Sequence, residues 1–259
     1  MLANKLRAEG KKVVLVDCDV ECPNDYLLLG VKLKKPVKKI YANFPKLDKE
    51  KCTKCGLCAR KCRSNAVFVA PGKYPVFIEE LCSGCGLCWH ICPNKAIGIK
   101  KKLIGEVFAN ELSAISHQPS AWLITGRSVG VVDETGPIVT KLRDFAEKLA
   151  RKVKADYLLF DTAVGLHCGV IRALIDCDLA YAVTEPTPLG SHDLGLILDL
   201  LKKLKVPAKV VLNQVDLGNE NLIEKIVKKR NVKIAYKIPY SKKLVEAYSR
   251  GELASLNLL

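Results

Sequence analysis

The sequence predicts an α/β fold in which a mostly parallel sheet, covered by helices on both faces, is interrupted by a small cysteine-rich α+β module. Three observations predict it. Short β-branched runs alternate with longer segments of helical period. Several of those runs end on acids, where open α/β sheets bind their ligands. Eight of the twelve cysteines crowd into two stretches, 52–62 and 82–92. With 259 residues and 49% apolar content, the chain is long enough for one large domain, or for a moderate one plus a small module.

The first strand is "KKVVLVDCDVECPN", residues 11–24, a buried-type run that delivers Asp17 and Asp19 to its C-terminal end. Four later segments repeat the form: "DYLLFDTAVG" (156–165), "LAYAVTEP" (179–186), "AKVVLNQVD" (208–216) and "VKIAYKIP" (232–239). Helical patterns lie between them. Residues 136–153 place Ile138, Leu142, Phe145, Leu149 and Val153 on one face, and 192–204 do much the same. From the residues alone, acids at strand ends serve equally well as helix caps.

Both cysteine runs read CxxCxxCxxxC: Cys52, Cys55, Cys58, Cys62, and then Cys82, Cys85, Cys88, Cys92. The module is therefore an internal duplication. Thiolates at i, i+3 and i+6 on a turning loop grip three corners of an iron–sulfur cube, and the small Gly56 and Gly86 let the backbone wrap closely. Zinc sites instead use two CxxC pairs parted by about a dozen or more residues, which would leave a third CxxC step idle. The pattern resembles bacterial-type two-4Fe–4S ferredoxins over residues 45–102. In those proteins the fourth cysteine of each run ligates the other cluster. The resemblance thus assigns Cys52, Cys55, Cys58 and Cys92 to one cluster and Cys82, Cys85, Cys88 and Cys62 to its twin. Cys92 precedes Pro93, as the pattern expects, but Cys62 precedes Arg63. A guanidinium there would raise the potential of the cluster that Cys62 serves. Residues 66–78 read as two short strands around a Pro-Gly turn.

"VVLVDCDVECPN", "LLFDTAVG", "YAVTEPTPLGSHD" and "VVLNQVD", in this order, resemble the MinD-type P-loop ATPases, and more closely the subgroup with a ferredoxin module inserted after the first Asp-x-Asp loop. The resemblance implies a P-loop NTPase-like sheet divided as 1–44, an insert over 45–102, and a remainder over 103–259. It implies that Asp17 belongs to the cofactor site and that Asp19 is the switch I acid orienting the attacking water. By the same comparison Asp161 ends the Walker B strand and holds Mg2+ through water, Gly165 offers the γ-phosphate a backbone N–H, and Asn213 reads the base. "NQVD" also resembles a degraded guanine motif; the family favours ATP over GTP.

No GxxxxGK[ST] occurs in the sequence, so no phosphate cradle and no phosphate-binding lysine are supplied by these residues. "MLANKLRAEGKK" looks like the last turns of the helix that follows such a loop. The absence has three readings: a start codon placed too late, a degenerate paralogue, or a gap filled by a partner chain. A sheet without its central strand is expected to show two unpaired edges and an apolar slot.

The formal charge of +15 falls to about +11 if two clusters, each near two negative charges, are bound. The lysines are scattered without aromatic interleaving, so dedicated nucleic-acid binding is not expected. No apolar run approaches the ~18 residues of a membrane span, no signal peptide is recognisable, and the chain reads as cytoplasmic. Cys18 and Cys177 read as small buried hydrophobes. Cys168 stands at the offset from Asp161 where the related nitrogenase iron protein carries a subunit-bridging cysteine, and Cys22 is a second candidate for a redox pair with it. The expected function is nucleotide-gated electron transfer to an unidentified redox partner, in a possible homodimer by resemblance. The alternatives are an assembly factor for iron–sulfur or other metal cofactors and a simple ferredoxin on a scaffold that does not bind ATP.

Overall fold

The computed structural model describes residues 2–112, 121–130 and 134–251. In chain order the elements are α1 (Leu2–Ala8), β1 (Val13–Asp17), α2 (Asp25–Leu28), β2 (Lys38–Leu47), α3 (Leu57–Arg60), β3 (Val67–Phe68), β4 (Val76–Phe77), α4 (Leu87–His90), β5 (Ile97–Leu112) and β6 (Ala121–Ser128). There follow α5 (Gly136–Val153), β7 (Tyr157–Asp161), α6 (Cys168–Leu174), β8 (Ala180–Thr184), α7 (Pro188–Leu204), β9 (Ala208–Asn213), α8 (Glu220–Arg230), β10 (Lys233–Ile238) and α9 (Lys242–Arg250).

Among the described residues the strands form a five-stranded sheet, β2-β5-β6-β1-β7, a three-stranded sheet, β10-β9-β8, and the small pair β3-β4. The frame is mostly parallel. β1 pairs in parallel with β6 and β7, as β9 does with β8 and β10, whereas β5 runs antiparallel to both β2 and β6. β1 is buried on both faces, as a central parallel strand requires. Val14, Val16 and Ile124 pack with Ile138, Val139 and Leu142 of α5, while Val13 and Leu123 are equally buried on the other side.

Local chemistry sets the helix limits. α5 follows Thr135, carries Pro in its first turn and ends at Lys154 with φ 54. α7 begins at Pro188, four residues before the apolar periodicity becomes visible, because the Thr187 side chain accepts the Gly190 N–H at 3.0 Å. Close packing of α5 on the sheet needs Gly126: a Cβ there would stand 2.6 Å from Leu142 and 2.7 Å from Val20.

Two features position the site. First, β5 is sixteen residues long. Its first half pairs with β2 beside the cysteine runs, and its second half pairs with β6 in the frame. The positions 44/45 and 102/103 lie inside β2 and β5, so insert and frame share two strands. Second, the two larger sheets end on β7 and β8, each paired on one side only among the described residues. Tyr157 of β7 lies within electrostatic reach of Tyr181 of β8, and Val183 on β8 is 68% exposed.

Candidate functional site

Each cysteine run turns on a glycine in the left-handed region, Gly56 at φ 70 and Gly86 at φ 84, and then enters a four-residue helix, α3 or α4. The two short helices pack on one another. This packing carries the last cysteine of each run to the opposite loop. One cavity is lined by Cys52, Cys55, Cys58 and Cys92, and a second by Cys82, Cys85, Cys88 and Cys62. The backbone N–H of Ala96 donates to Cys92 Sγ at 3.3 Å, and Cys62 Sγ lies 3.7 Å from Ser64 Oγ.

Burial, reinforced by neighbouring thiols, pushes the Cys58 and Cys82 thiols up and raises Cys88 to about 11. The metal-free thiols therefore hold their protons, and loading a metal centre must release them. Among the described residues no group of His, Cys, Asp or Glu converges tightly enough for a single metal ion. Four thiols spread around each void fit the corners of a 4Fe–4S cube. Arg63 is exposed and does not line the second cavity. Arg60 lines neither cavity but donates from Nη1 to the carbonyl of Cys55, in the first run, at 2.8 Å.

The acids gather at the C-terminal ends of β1 and β7. Asp17 and Asp161 are register partners, and one row across the sheet runs Phe108, Thr125, Asp17, Asp161. Asp17 accepts three backbone N–H groups, from Asn24 at 2.9 Å, Asp25 at 3.1 Å and Asp19 at 3.2 Å. Those bonds favour the anion, yet burial outweighs them and pushes Asp17 up to about 6. Two of the three donors open α2, so Asp17 performs the capping role that strand-end acids share with catalytic ones. Asp19 accepts the Cys22 N–H at 3.1 Å.

Asp25 carries no motif in the sequence, but the structure buries it against Asp161. Burial and the neighbouring carboxylates push Asp25 up, and burial does the same to Asp161. The Oδ2 of Asp25 receives no donor N–H or O–H, so the pair is at ease only when one carboxyl holds a proton. Gly165 lies in the loop after β7 with φ 96. Asn213 stands apart from the acids, at the end of β9 in the other sheet. Among the other cysteines, Cys18 is buried, and Cys177 packs on the second core and donates to the Ala173 carbonyl at 3.3 Å. Cys22 and Cys168 are both exposed, and neither forms a disulfide. Glu134 beside Cys168 pushes its thiol up.

Comparison with known proteins places both parts. Residues 45–99 match the family model described as a 4Fe-4S dicluster domain. The chain is 34% identical over 252 residues to MJ0579 of Methanocaldococcus jannaschii, covering 94% of this chain and 81% of that one. The chain belongs to the MJ0579 family. A more partial relative of this MJ0579-family protein, 29% identical over 133 residues, is the iron-sulfur cluster carrier protein of Pyrococcus horikoshii; the match covers 45% of this chain and 44% of the carrier. Among solved structures, a chain of the MinC:MinD cell division protein complex of Aquifex aeolicus superposes with a TM-score of 0.54 at 18% identity, over 95% of this chain and 76% of that one. That likeness is one of fold. The MJ0579-family chain is thus a 4Fe–4S domain on a MinD-like frame, and no helix among its described residues is long and apolar enough to cross a membrane.

Proposed function

We propose that the protein is an electron-transfer protein whose two 4Fe–4S clusters are gated by a nucleotide at the acidic corner. The observation that carries this reading is the pair of complete four-thiol cavities, cross-joined by Cys62 and Cys92. Clusters with four protein ligands each are held for redox cycling rather than for release. Bound there, they supply one-electron storage at low potential.

Gating is supported by the sheet. β5 reaches from the cysteine module into the row that contains Asp17 and Asp161, so a shift of the acids on binding and releasing a phosphate is felt at the base of the module. Asp19 orients water, Asp161 holds Mg2+ through water, Gly165 donates to the γ-phosphate and Asn213 reads adenine in this proposal. No phosphate-cradle motif occurs among these residues, so in this proposal the cradle is not supplied by them; the edges of β7 and β8, each paired on one side only among the described residues, leave room for a further strand. A homodimer enclosing the nucleotide, and a separate redox-partner protein, belong to the same proposal.

The test is calorimetric titration of MgATP into anaerobic, cluster-loaded protein, both as this chain and extended through any in-frame upstream codons, with EPR of the reduced clusters before and after. Micromolar binding by the extended form, with an altered EPR signal, is the expected result. Binding by neither form would leave a ferredoxin on a relic sheet. The match to a cluster carrier favours one other reading, delivery of a cluster to client proteins. It predicts transfer of iron and sulfide to an apo-ferredoxin faster than free iron and sulfide reconstitute it.

A further inference from the structure

The two cysteine runs are copies of one design, so each position in the first has a counterpart in the second, and the departures stand out. Lys54 corresponds to Gly84, Ala59 to Trp89 and Arg60 to His90. Lys54 and Gly84 share a left-handed backbone, φ 58 and φ 69, which favours glycine over any residue with a Cβ. At Gly84 a Cβ would stand 3.2 Å from the Asn43 carbonyl oxygen, so β2 closes over the second loop. Lys54 is exposed, lines the first cavity and holds its Nζ 4.5 Å from the centre of the Tyr74 ring. Lys49 reaches the same ring at 5.8 Å. One aromatic side chain thus gathers two cations beside the first cavity.

Arg60 completes the contrast. Its Nη1 donates to the Cys55 carbonyl at 2.8 Å and lies 3.2 Å from where a Cβ on Gly56 would be. Over Gly86, in the second run, the indole of Trp89 takes that place. Among the described residues Lys54 is the one charged side chain that lines the first cavity, and no charged residue lines the second. Cys55 and Cys85 are both exposed, so exposure does not distinguish the two cavities. Charge does.

We infer that the first cavity is the electron port of the protein: Lys54 in its lining, with Lys49 on the Tyr74 ring and Arg60 on the Cys55 carbonyl beside it, holds the cluster there at a higher potential than its twin and receives the acidic docking face of a redox-partner protein. This inference rests on the iron–sulfur reading above but not on nucleotide gating. Cations close to a cluster stabilise its reduced, more negative state. The same cations, being exposed, draw an anionic surface into productive encounters. The step is outer-sphere: one electron leaves the reduced first cluster for a one-electron acceptor on the partner, and no bond or proton moves.

The test uses the cluster-loaded chain, wild type and K54G/R60H, which installs the second run's residues in the first; K49Q and the charge-conserving R60K are separate variants. Iron and sulfide analysis comes first, and a wild type without two clusters would overturn the cluster reading itself. With clusters intact, EPR-monitored redox titration of wild type is expected to show two steps. In K54G/R60H the upper step moves down towards the lower, which stays in place, and R60K, which keeps both cations, retains most of the wild-type gap. Stopped-flow oxidation by hexacyanoferrate(III), an anion, slows several-fold in K54G/R60H and slows in K49Q, while oxidation by the cation hexaamminecobalt(III) does not slow. Polyglutamate added as an acidic competitor protects reduced wild type from hexacyanoferrate(III) more than it protects the double variant. Unmoved potentials with equal anion and cation rates would overturn the port. So would a shift confined to the lower step. Protection by a DNA oligonucleotide but not by polyglutamate would overturn the protein partner in favour of nucleic acid.

Discussion

Asp25 and Asp161 meet carboxyl to carboxyl at the C-terminal ends of β1 and β7, and burial pushes both towards the protonated form. Asp17 lies beside them, raised to about 6 from an ordinary value of 3.8. The folded chain therefore binds more protons than the unfolded chain between these values, and the stabilisation present below the ordinary carboxylate range is lost as pH rises through about 6. Asp25 carries the loss to higher pH. Urea midpoints of nucleotide-free, cluster-loaded protein should fall between about pH 6 and about pH 8, and Asp25→Asn should flatten that fall. An equal slope in the variant would show that Asp25 is not part of the proton balance.

The Asp17 carboxylate should act first as a backbone acceptor. Asp17→Ala strips acceptors from the N–H groups of Asp19, Asn24 and Asp25, and a buried N–H left unpaired costs about 1–3 kcal/mol. Hydrogen exchange at Asn24 and Asp25 should accelerate in Asp17→Ala, with amides of β9 and β10 unaffected. Unchanged exchange at Asn24 and Asp25 would contradict the capping role.

Packing of α5 on the sheet depends on a missing methyl group. Gly126→Ala pushes a Cβ against Leu142 and Val20, and overpacking of this kind costs about 1–3 kcal/mol. Its Tm should drop by several degrees. Gly10→Ala is the control: nothing lies within 4 Å of the added Cβ there, and only the φ of 81 opposes it.

Crossed ligation makes a prediction about pairs of substitutions. Cys52→Ser with Cys92→Ser strikes the lining of one cavity, and Cys82→Ser with Cys92→Ser strikes both. The first pair should lose about half the bound iron and the second nearly all of it, measured after anaerobic reconstitution. If the losses are reversed, each run serves its own cluster.

Much of this could be read from the residues. The limits of α5 follow from apolar spacing, Pro137 and a basic last turn, which act within one helix. The two cavities follow from spacing repeated in both runs. Asp25 was hidden because its role depends on the chain folding back after β1, which places it beside an acid from β7, far away in sequence. Arg60 was hidden for a related reason, since only the turn at Gly56 brings its guanidinium onto the Cys55 carbonyl. Arg63 carried a sequence signal of its own, in the place of an expected proline next to Cys62, and like Arg60 it lies outside the lining of either cavity. The length of β5 was masked by its three consecutive lysines, which break any apolar strand pattern. Pairing with β2 on one side and β6 on the other keeps the strand continuous through them.

That continuity bears on how the chain is made. β1 leaves the ribosome early, but its partners β6 and β7 follow only after the whole cysteine segment has emerged. Meanwhile the two runs can close on one another over short loops. β5 is the next strand out, already registered on β2 at its first half, and it offers its second half as the template on which β6 and then β1 align. The order of synthesis thus places the closing of the cysteine module ahead of the closing of the sheet.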